Sequence, residues 1–308
     1  MPLVGSFVLP HGALLLDETK PIYSEQLNRA MKEAARELVQ LRPDVVFLST
    51  PHGIALDSDF GLYLNQQAKG SAEWLGEYGE YAVQVQLNRS MALELKSRLS
   101  ERGIGVSGIT SFSSAVESPL RWGEAVPLWF IEQALKQQQQ EDEDAEHEDE
   151  KGIERKTTTT TYIILSQPTR RIEPEQMAAD LRRLGETISA FFEERTERAV
   201  VAISGDLAHT HSRSPDSPYP WSATAQPFDE AIEAWASSLD EERLVGGAGA
   251  LVREALSCGY TGFLLLDAAL RHQQRAFGKT LTPKVYHRQA PTYYGMIVSS
   301  FLPSSLVT

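Results

Sequence analysis

Apolar residues occur along the chain in two kinds of pattern, continuous runs and helical repeats. Residues 3–9 and 44–50 are continuous runs of the kind found in strands that are covered on both faces. Between them, residues 23–41 repeat apolar residues every three or four positions after Ser24, which is a suitable N-cap. The apolar positions on this helical face are Leu27, Met31, Ala34, Ala35 and Leu38. The pattern predicts a strand–helix–strand unit with parallel strands and a right-handed crossover.

The same alternation continues towards the C-terminus. Further strands are predicted at residues 60–65, 79–85, 161–167 and 199–206. Helices are predicted at residues 88–103, 124–137, 173–194, 227–238, 248–256 and 261–273. The last two apolar segments, 281–289 and 293–301, predict a pair of antiparallel strands. The fold class expected is therefore α/β, a single domain with a mostly parallel central sheet flanked by helices and antiparallel strands at its C-terminal edge.

A polar segment, residues 136–161, interrupts the alternation and contains almost no apolar residues. Such a composition cannot offset its ordering entropy by burial. We interpret residues 138–157 as an acidic, low-complexity surface insertion, with a docking tail for a basic partner as the alternative. The insertion falls between a helix and a strand of one continuing pattern, so we expect residues 1–308 to form one domain.

Charge and composition exclude several classes of protein. The net charge of −13 is concentrated in residues 141–150, and without their eight acids it is about −5; binding of nucleic acid is therefore not expected. The one cysteine, Cys258, excludes an internal disulfide and a disulfide-stapled secreted fold. The N-terminus lacks the regions of a signal peptide, and no stretch has the length and apolarity of a membrane span. We expect a cytoplasmic protein without a membrane partner.

Histidines follow three of the predicted strands. Pro-His-Gly ends the first two apolar runs and places His11 and His52 just beyond them, although the chain has only seven histidines. Asp206, His209 and His211 follow a third run in the same way. Ligands of parallel α/β sheets bind at the carboxyl ends of strands, and neutral imidazole is the commonest metal ligand. The pattern fits a three-histidine zinc site, a two-histidine metal site with His209 as acid or base, or a structural polar rim.

Several other catalytic motifs are absent from the sequence. No G-x-G-x-x-G follows a strand, and there is no P-loop, no G-x-S-x-G elbow and no H-E-x-x-H. These absences argue against dinucleotide binding, P-loop phosphate chemistry, serine hydrolysis on an α/β-hydrolase elbow and a zincin site.

Six segments, in this order, resemble those of a known superfamily: "LPHG", "LRPDVVFLSTPHG", "EAVPLWF", "VVAISGDLAHTH", "FDEAI" and "ALSCGYTGFLLLDAAL". The chain resembles the class III (LigB-type) extradiol ring-cleavage dioxygenases, and especially their uncharacterised branch close to the Memo-like proteins. The resemblance covers most of the chain, with gaps at the acidic segment and around residues 65–80. It implies a non-haem Fe(II) held by two histidines and one carboxylate, with open positions for a small aromatic diol and O₂.

The resemblance also implies roles for individual residues. His11 and His52 match the two iron-binding histidines, and His209 matches the acid/base histidine of the Gly-Asp-Leu segment. Asp206 either orients His209 by accepting from its ring N–H or caps the loop. Fe(II) is the expected cofactor, with Zn²⁺ or copper as alternatives.

The third ligand departs from the pattern of the superfamily. Where the ring-cleaving members have a glutamate before a glycine, this chain has Cys258, as in the Memo branch. A thiolate is a softer ligand, and a His₂Cys set with an open position also suits Zn²⁺ or copper. Glu254, one helical turn earlier, is the alternative third ligand, and Cys258 would then be an inert buried residue.

A second departure concerns the histidine that precedes the V-P-L segment in many ring-cleaving members. This chain has Arg121-Trp122-Gly123 at that place. Trp122 either stacks on an aromatic ligand or packs in the core, and Arg121 either pairs with a substrate carboxylate or is an exposed arginine.

Four further residues are candidates for the lining of the pocket. His287, with Tyr293 and Tyr294 on the following strand, would contribute to it from the C-terminal edge. His211 lies two positions from His209 and faces either the same cleft or solvent.

Three functional hypotheses follow. The first is an extradiol-type dioxygenase that acts with O₂ on a small aromatic substrate. The second is a Memo-like protein in which the metal or the cleft serves binding or redox regulation. The third is a zinc hydrolase in which His11, His52 and Cys258 surround an activated water. A homodimer is an expectation that comes from the superfamily.

Overall fold

The central sheet has eight strands, and a smaller sheet of three strands lies beside it. A computed structural model describes residues 2–148, 159–168 and 174–307. The strands are β1 (Leu3–Leu9), β2 (Val45–Thr50), β3 (Phe60–Tyr63), β4 (Gln67–Ser71), β5 (Ala82–Gln86), β6 (Val106–Ile109), β7 (Ser118–Leu120), β8 (Thr161–Ser166), β9 (Ala199–Ser204), β10 (Leu281–Gln289) and β11 (Met296–Pro303). The helices are α1 (Glu25–Gln40), α2 (Arg89–Glu101), α3 (Trp122–Glu148), α4 (Pro174–Glu193), α5 (Ala225–Ser238), α6 (Val252–Ala255) and α7 (Tyr260–Phe277).

The strand order of the large sheet is β10-β11-β1-β9-β2-β8-β3-β6. Strands β1, β9, β2 and β8 are parallel to their neighbours in this group, and β10 and β11 form an antiparallel pair at the C-terminal edge. The α/β fold class expected from the sequence is confirmed. Strand β3 pairs antiparallel with β8. Strands β5, β4 and β7 form the small sheet, in that order.

Helices cover both faces of the large sheet. Apolar residues of α1 and α3 pack with one face, and those of α2, α4, α5 and α7 pack with the other. The start of α1 is set locally, because Ser24 Oγ accepts a hydrogen bond from Leu27 N at the N-cap. Within the described part of the chain, no helix has both the length and the apolarity of a membrane span.

Two predicted segments differ in the structure. The helix expected at residues 124–137 is part of α3, which continues to Glu148 and so includes the first part of the acidic segment. Glutamine and glutamate favour helix, so low apolarity alone does not end one. The remainder of the predicted insertion, residues 149–157, lies outside the described residues. In place of the helix expected at residues 248–256, the structure has only the short α6, preceded by a π-helix at Arg243–Ala248. This segment is rich in glycine, which disfavours regular helix.

Candidate metal centre

The carboxyl ends of β1, β9 and β2 converge on one point. His11 follows β1, His52 follows β2, and β9 lies between those two strands instead of at one side of them. The imidazole rings of His11 and His52 nevertheless meet edge to face, with centroids 4.8 Å apart and an interplanar angle of 85°. Gly12 permits this exit from β1, because a Cβ there would lie 2.7 Å from the ring of Tyr294.

Cys258 reaches the same point from the N-terminus of α7. The backbones of Gly205 and Gly259 touch, since a Cβ on Gly205 would lie 2.6 Å from Gly259 Cα. Asp206 N is 3.4 Å from Cys258 Sγ, and Gly259 N donates to Asp206 O at 3.0 Å. This close packing of two glycines brings Cys258 Sγ to 3.4 Å from His11 Nε2.

The side chains form two overlapping sets of candidate ligands. One atom from each of His11, His52 and Cys258 lies within 4.8 Å of the others, and the same holds for Asp206, His209 and Cys258. All but His52, which is partly exposed, are buried. The residues that the sequence singled out at three strand ends therefore meet in one cluster.

The donor set of this cluster suits a transition-metal ion. In a tetrahedral site with metal–nitrogen and metal–sulfur bonds of about 2.1 and 2.3 Å, the ligand atoms lie about 3.6 Å apart. The 3.4 Å between His11 Nε2 and Cys258 Sγ is close to that separation. His11 Nε2 is also 3.3 Å from Asp206 Oδ2. An imidazole nitrogen, a sulfur and a carboxylate thus meet at one buried point, where a cation stabilises them.

Asp206 contacts His11. Its Oδ1 accepts a hydrogen bond from His11 N at 3.1 Å, so the structure pairs the carboxylate with His11, whereas the sequence suggested His209 or a loop cap. Burial raises the pKa of Asp206 to about 7, against the smaller opposing effect of this hydrogen bond. The carboxyl therefore holds its proton more tightly than an exposed aspartate, and a nearby positive charge would favour loss of that proton.

His209 is oriented by the end of α6. Its Nδ1 lies 2.6 Å from Leu256 O, and a carbonyl oxygen only accepts, so we assign the proton to Nδ1 and the lone pair to Nε2. Leu256 ends α6 in the left-handed region, at φ 57°. The ring of Tyr219 stacks on His209 with centroids 5.6 Å apart and planes at 18°, and Tyr294 contacts it edge-on at 5.9 Å. This environment presents Nε2 as a proton acceptor.

Two tryptophans lie beside His52 at the edge of the cluster. The Trp122 ring lies 5.5 Å from the His52 ring, and Trp74 packs on Trp122 at 4.5 Å. Trp74 is 48% exposed, so this aromatic wall extends to the surface. Arg121 forms an exposed ion pair with Glu73 at 3.1 Å.

Sequence reasoning missed Trp74 and Tyr219. Both are aromatic residues in segments rich in turn-forming residues, "EWLGEYGEY" and "DSPYPW". An aromatic residue in such a loop has no core to join locally, and this was the available signal.

Three predicted residues lie in other contacts. Glu254 Oε2 accepts a hydrogen bond from Ser222 Oγ at 3.2 Å and belongs to neither set of candidate ligands among the described residues. His211 Nε2 is 2.8 Å from Oδ2 of the buried Asp229. His287 lies in the edge strand β10, opposite Val298 of β11. The structure thus brings Cys258, and not Glu254, to the two histidines.

Glu124 is a buried carboxyl behind the loop that carries His52. Its Oε1 accepts from Tyr63 OH at 2.8 Å and its Oε2 accepts from Arg121 N at 3.1 Å, while Ile54 N donates to Tyr63 OH at 2.7 Å. Burial raises the pKa of Glu124 to about 7 in spite of these hydrogen bonds. This network ties the His52 loop to the first turn of α3.

Comparisons with known proteins identify a family and a fold that this chain resembles. The family model described as the catalytic LigB subunit of aromatic ring-opening dioxygenase matches residues 5–245. Protein CA_C1420 of Clostridium acetobutylicum is 24% identical over 244 residues, which are 75% of this chain and 44% of that protein. The chain therefore spans less than half of that curated relative. An uncharacterised protein from Escherichia coli K12, JW3007, shares the fold, with a TM-score of 0.54, 14% identity and coverage of 96% and 99% of the two chains.

Proposed function

Because the chain belongs to the family of catalytic LigB subunits of aromatic ring-opening dioxygenases, we propose that it is a metal-dependent oxidoreductase that opens the ring of a small aromatic diol with O₂. One observation carries the proposal. Candidate ligand atoms of His11, His52 and Cys258 lie within 4.8 Å of one another, and His209 stands within the same distance of Cys258. A metal site with an adjacent base is the minimum that this chemistry requires.

Fe(II), when bound, supplies the electron transfer that lets O₂ react with the aromatic ring. His11, His52 and Cys258 would hold it. The chain's own task is to place the diol and to take its proton. His209 performs the second step, because Nε2 accepts the hydroxyl proton while Leu256 O stabilises the resulting imidazolium through Nδ1–H.

The substrate ring is placed by the aromatic walls. Trp122 and Trp74 next to His52, and Tyr219 and Tyr294 next to His209, offer flat apolar surfaces beside the ligand cluster. Trp122 stands where many family members have a histidine, so it contributes stacking and no proton. His209 is then left as the acid/base for both the diol proton and the later steps.

Cys258 favours a second candidate function. A thiolate among the ligands suits Zn²⁺ better than Fe(II), and a three-ligand zinc site with an open position activates water. Hydrolysis in the same cleft, or a Memo-like binding or redox role of the metal, is therefore the alternative to ring opening.

Metal analysis and oxygen uptake test the proposal. The protein is purified anaerobically, its metal content is measured, and O₂ consumption is recorded with a panel of catechols. We expect bound Fe(II), O₂ uptake and a yellow semialdehyde product. Stoichiometric zinc without O₂ uptake would contradict ring opening and support the alternative.

A histidine variant tests the site itself. We expect His52→Ala to lose the metal while it stays folded, because His52 is a partly exposed loop residue. His272→Ala is the matched control, since His272 lies near the C-terminal end of α7, where its Nδ1 is 3.1 Å from Ser189 Oγ, whereas Cys258 precedes the N-terminus of this helix. Equal metal content in the two variants would rule out His52 as a ligand.

A further inference from the structure

Ser204, the last residue of β9, links the loop that carries His11 to the first turn of α3. Its side chain is fully buried, and its Oγ lies 2.8 Å from His11 Nδ1 and donates a hydrogen bond to Gly123 O. Strand β9 lies between the strands that lead to His11 and His52. The hydroxyl group therefore connects the His11 segment with α3, whose first turn packs on the His52 segment.

The single hydroxyl proton of Ser204 determines which ring nitrogen of neutral His11 carries a proton. A serine hydroxyl has one proton, and a backbone carbonyl such as Gly123 O can only accept. The Ser204 hydroxyl thus donates its one hydrogen bond to Gly123 O. Its Oγ must therefore accept a hydrogen bond from His11 Nδ1–H. The lone pair of neutral His11 is then on Nε2, the atom 3.4 Å from Cys258 Sγ.

We infer that Ser204 is a positioning residue that holds His11 in the Nδ1–H tautomer and so presents Nε2 as the metal-binding atom. The part of the inference that concerns metal binding rests on the proposed function. The part that concerns the tautomer of His11 does not. Hydrogen bonds from other residues to the distal nitrogen of a histidine ligand fix the ring and raise its basicity.

The contact with Gly123 extends the effect of Ser204 to His52. A Cβ on Gly123 would lie 2.6 Å from His52 Cβ and 3.0 Å from Thr50 Oγ1, so the first turn of α3 rests directly on the His52 segment. Because Ser204 bonds to the carbonyl of this same residue, its hydroxyl holds α3 against His52 while it orients His11.

Zinc affinity measures the positioning role. We expect Ser204→Ala to weaken Zn²⁺ binding about 10- to 100-fold, measured by competition with a chelator. Ser204→Thr keeps the hydroxyl and retains most of the affinity. Ser6→Ala is the matched control: Ser6 lies in β1, the strand that leads to His11, and its buried Oγ has no hydrogen-bond partner among the described residues. Its zinc affinity stays that of the wild type.

Nitrogen NMR of the metal-free protein, labelled with ¹⁵N-histidine, reads the tautomer directly at a pH where His11 is neutral. We expect Nδ1–H in the wild type and in Ser204→Thr, and a shift towards Nε2–H in Ser204→Ala. An Nε2–H tautomer in the wild type, or an Ala variant with unchanged tautomer and zinc affinity, overturns the inference. A wild type that binds no metal but shows Nδ1–H contradicts the proposed function and leaves the role of Ser204 supported.

Discussion

Cys258 Sγ is the softest of the candidate ligand atoms, and from the resemblance we expect it to take the place of a carboxylate of the ring-cleaving members. It is buried and 3.4 Å from His11 Nε2, so an ion bound at His11 Nε2 would lie close to it. The identity of this one atom therefore bears directly on the choice of metal.

Replacing the sulfur by a carboxylate should shift metal preference. We expect Cys258→Asp to lower the affinity for Zn²⁺ relative to that for Fe(II) by about tenfold or more, because zinc gains more from a thiolate than iron does. Both affinities are measured anaerobically by chelator competition. Cys258→Ser is the control for volume, and an unchanged ratio of affinities in Cys258→Asp would show that the sulfur does not bind the metal.

His209 is separable from metal binding. We expect His209→Asn to lower kcat about 10²- to 10⁴-fold while metal content stays that of the wild type, because the asparagine amide nitrogen takes the place of Nδ1 and can still donate to Leu256 O but cannot take a proton. Turnover is followed by O₂ uptake and metal by elemental analysis. Loss of metal from this variant would make His209 a ligand instead of a base.

Glu124 links stability to pH. Burial raises its folded-state pKa from 4.5 to about 7, so the folded protein binds this proton more tightly than the unfolded chain. The stabilisation is complete below the unfolded pKa of 4.5 and is lost as pH rises to about 7, by up to about 3 kcal/mol.

The variant Glu124→Gln removes this titration. We expect the decrease in unfolding free energy between about pH 5 and pH 8 to become smaller than in the wild type, as measured by urea denaturation. The exposed Glu25→Gln serves as the control and keeps the wild-type decrease. Equal decreases in Glu124→Gln and the wild type would mean that the carboxyl is ionised throughout.

At the scale of elements, the first turn of α3 packs directly against the His52 segment. Gly123 contacts His52 and Thr50, and Glu124 bonds to Tyr63. The sequence shows Arg121-Trp122-Gly123 only as a departure from a superfamily pattern. Its packing role becomes visible once α3 is placed.

An added methyl group in the first turn of α3 should disturb the candidate metal ligands. We expect Gly123→Ala to destabilise the fold by about 1–3 kcal/mol and to weaken metal binding, because its Cβ would lie 2.6 Å from His52 Cβ. Gly79→Ala is the matched control, since a Cβ there meets nothing within 4 Å. Thermal melting and chelator competition measure the two effects. Equal melting temperatures and metal affinities in the two variants would contradict the close packing of α3 on the His52 segment.

Elements with strong local signals were predicted well. Strands β1 and β2 are continuous apolar runs, and α1 has both a cap residue and a helical repeat, so each was confirmed with bounds within about two residues. Strands β4, β6 and β7 were not predicted, because each is short and pairs with partners that are remote in sequence.

At the scale of the whole molecule, we expect the negative charge of residues 141–150 to contribute little to the stability of the fold. Asp142 makes an exposed ion pair with Arg42, and such pairs contribute little to stability. We expect replacement of the eight acids of residues 141–150 by glutamine to raise the isoelectric point and to leave the melting temperature and metal content nearly unchanged. Isoelectric focusing and thermal melting test this; a large loss of stability would show that the acids are structural.

The sequence by itself determined the α/β class, the order of its main elements and the placing of His11, His52 and His209 just beyond strand ends. These follow from local periodicity and from the rule that parallel strands present their carboxyl ends at one edge. Only the tertiary structure decided that β9 lies between β1 and β2, that Cys258 and not Glu254 joins the histidines, and that Asp206 pairs with His11. The reason is physical: these contacts join residues up to 247 positions apart, and their distances depend on the packing of whole elements.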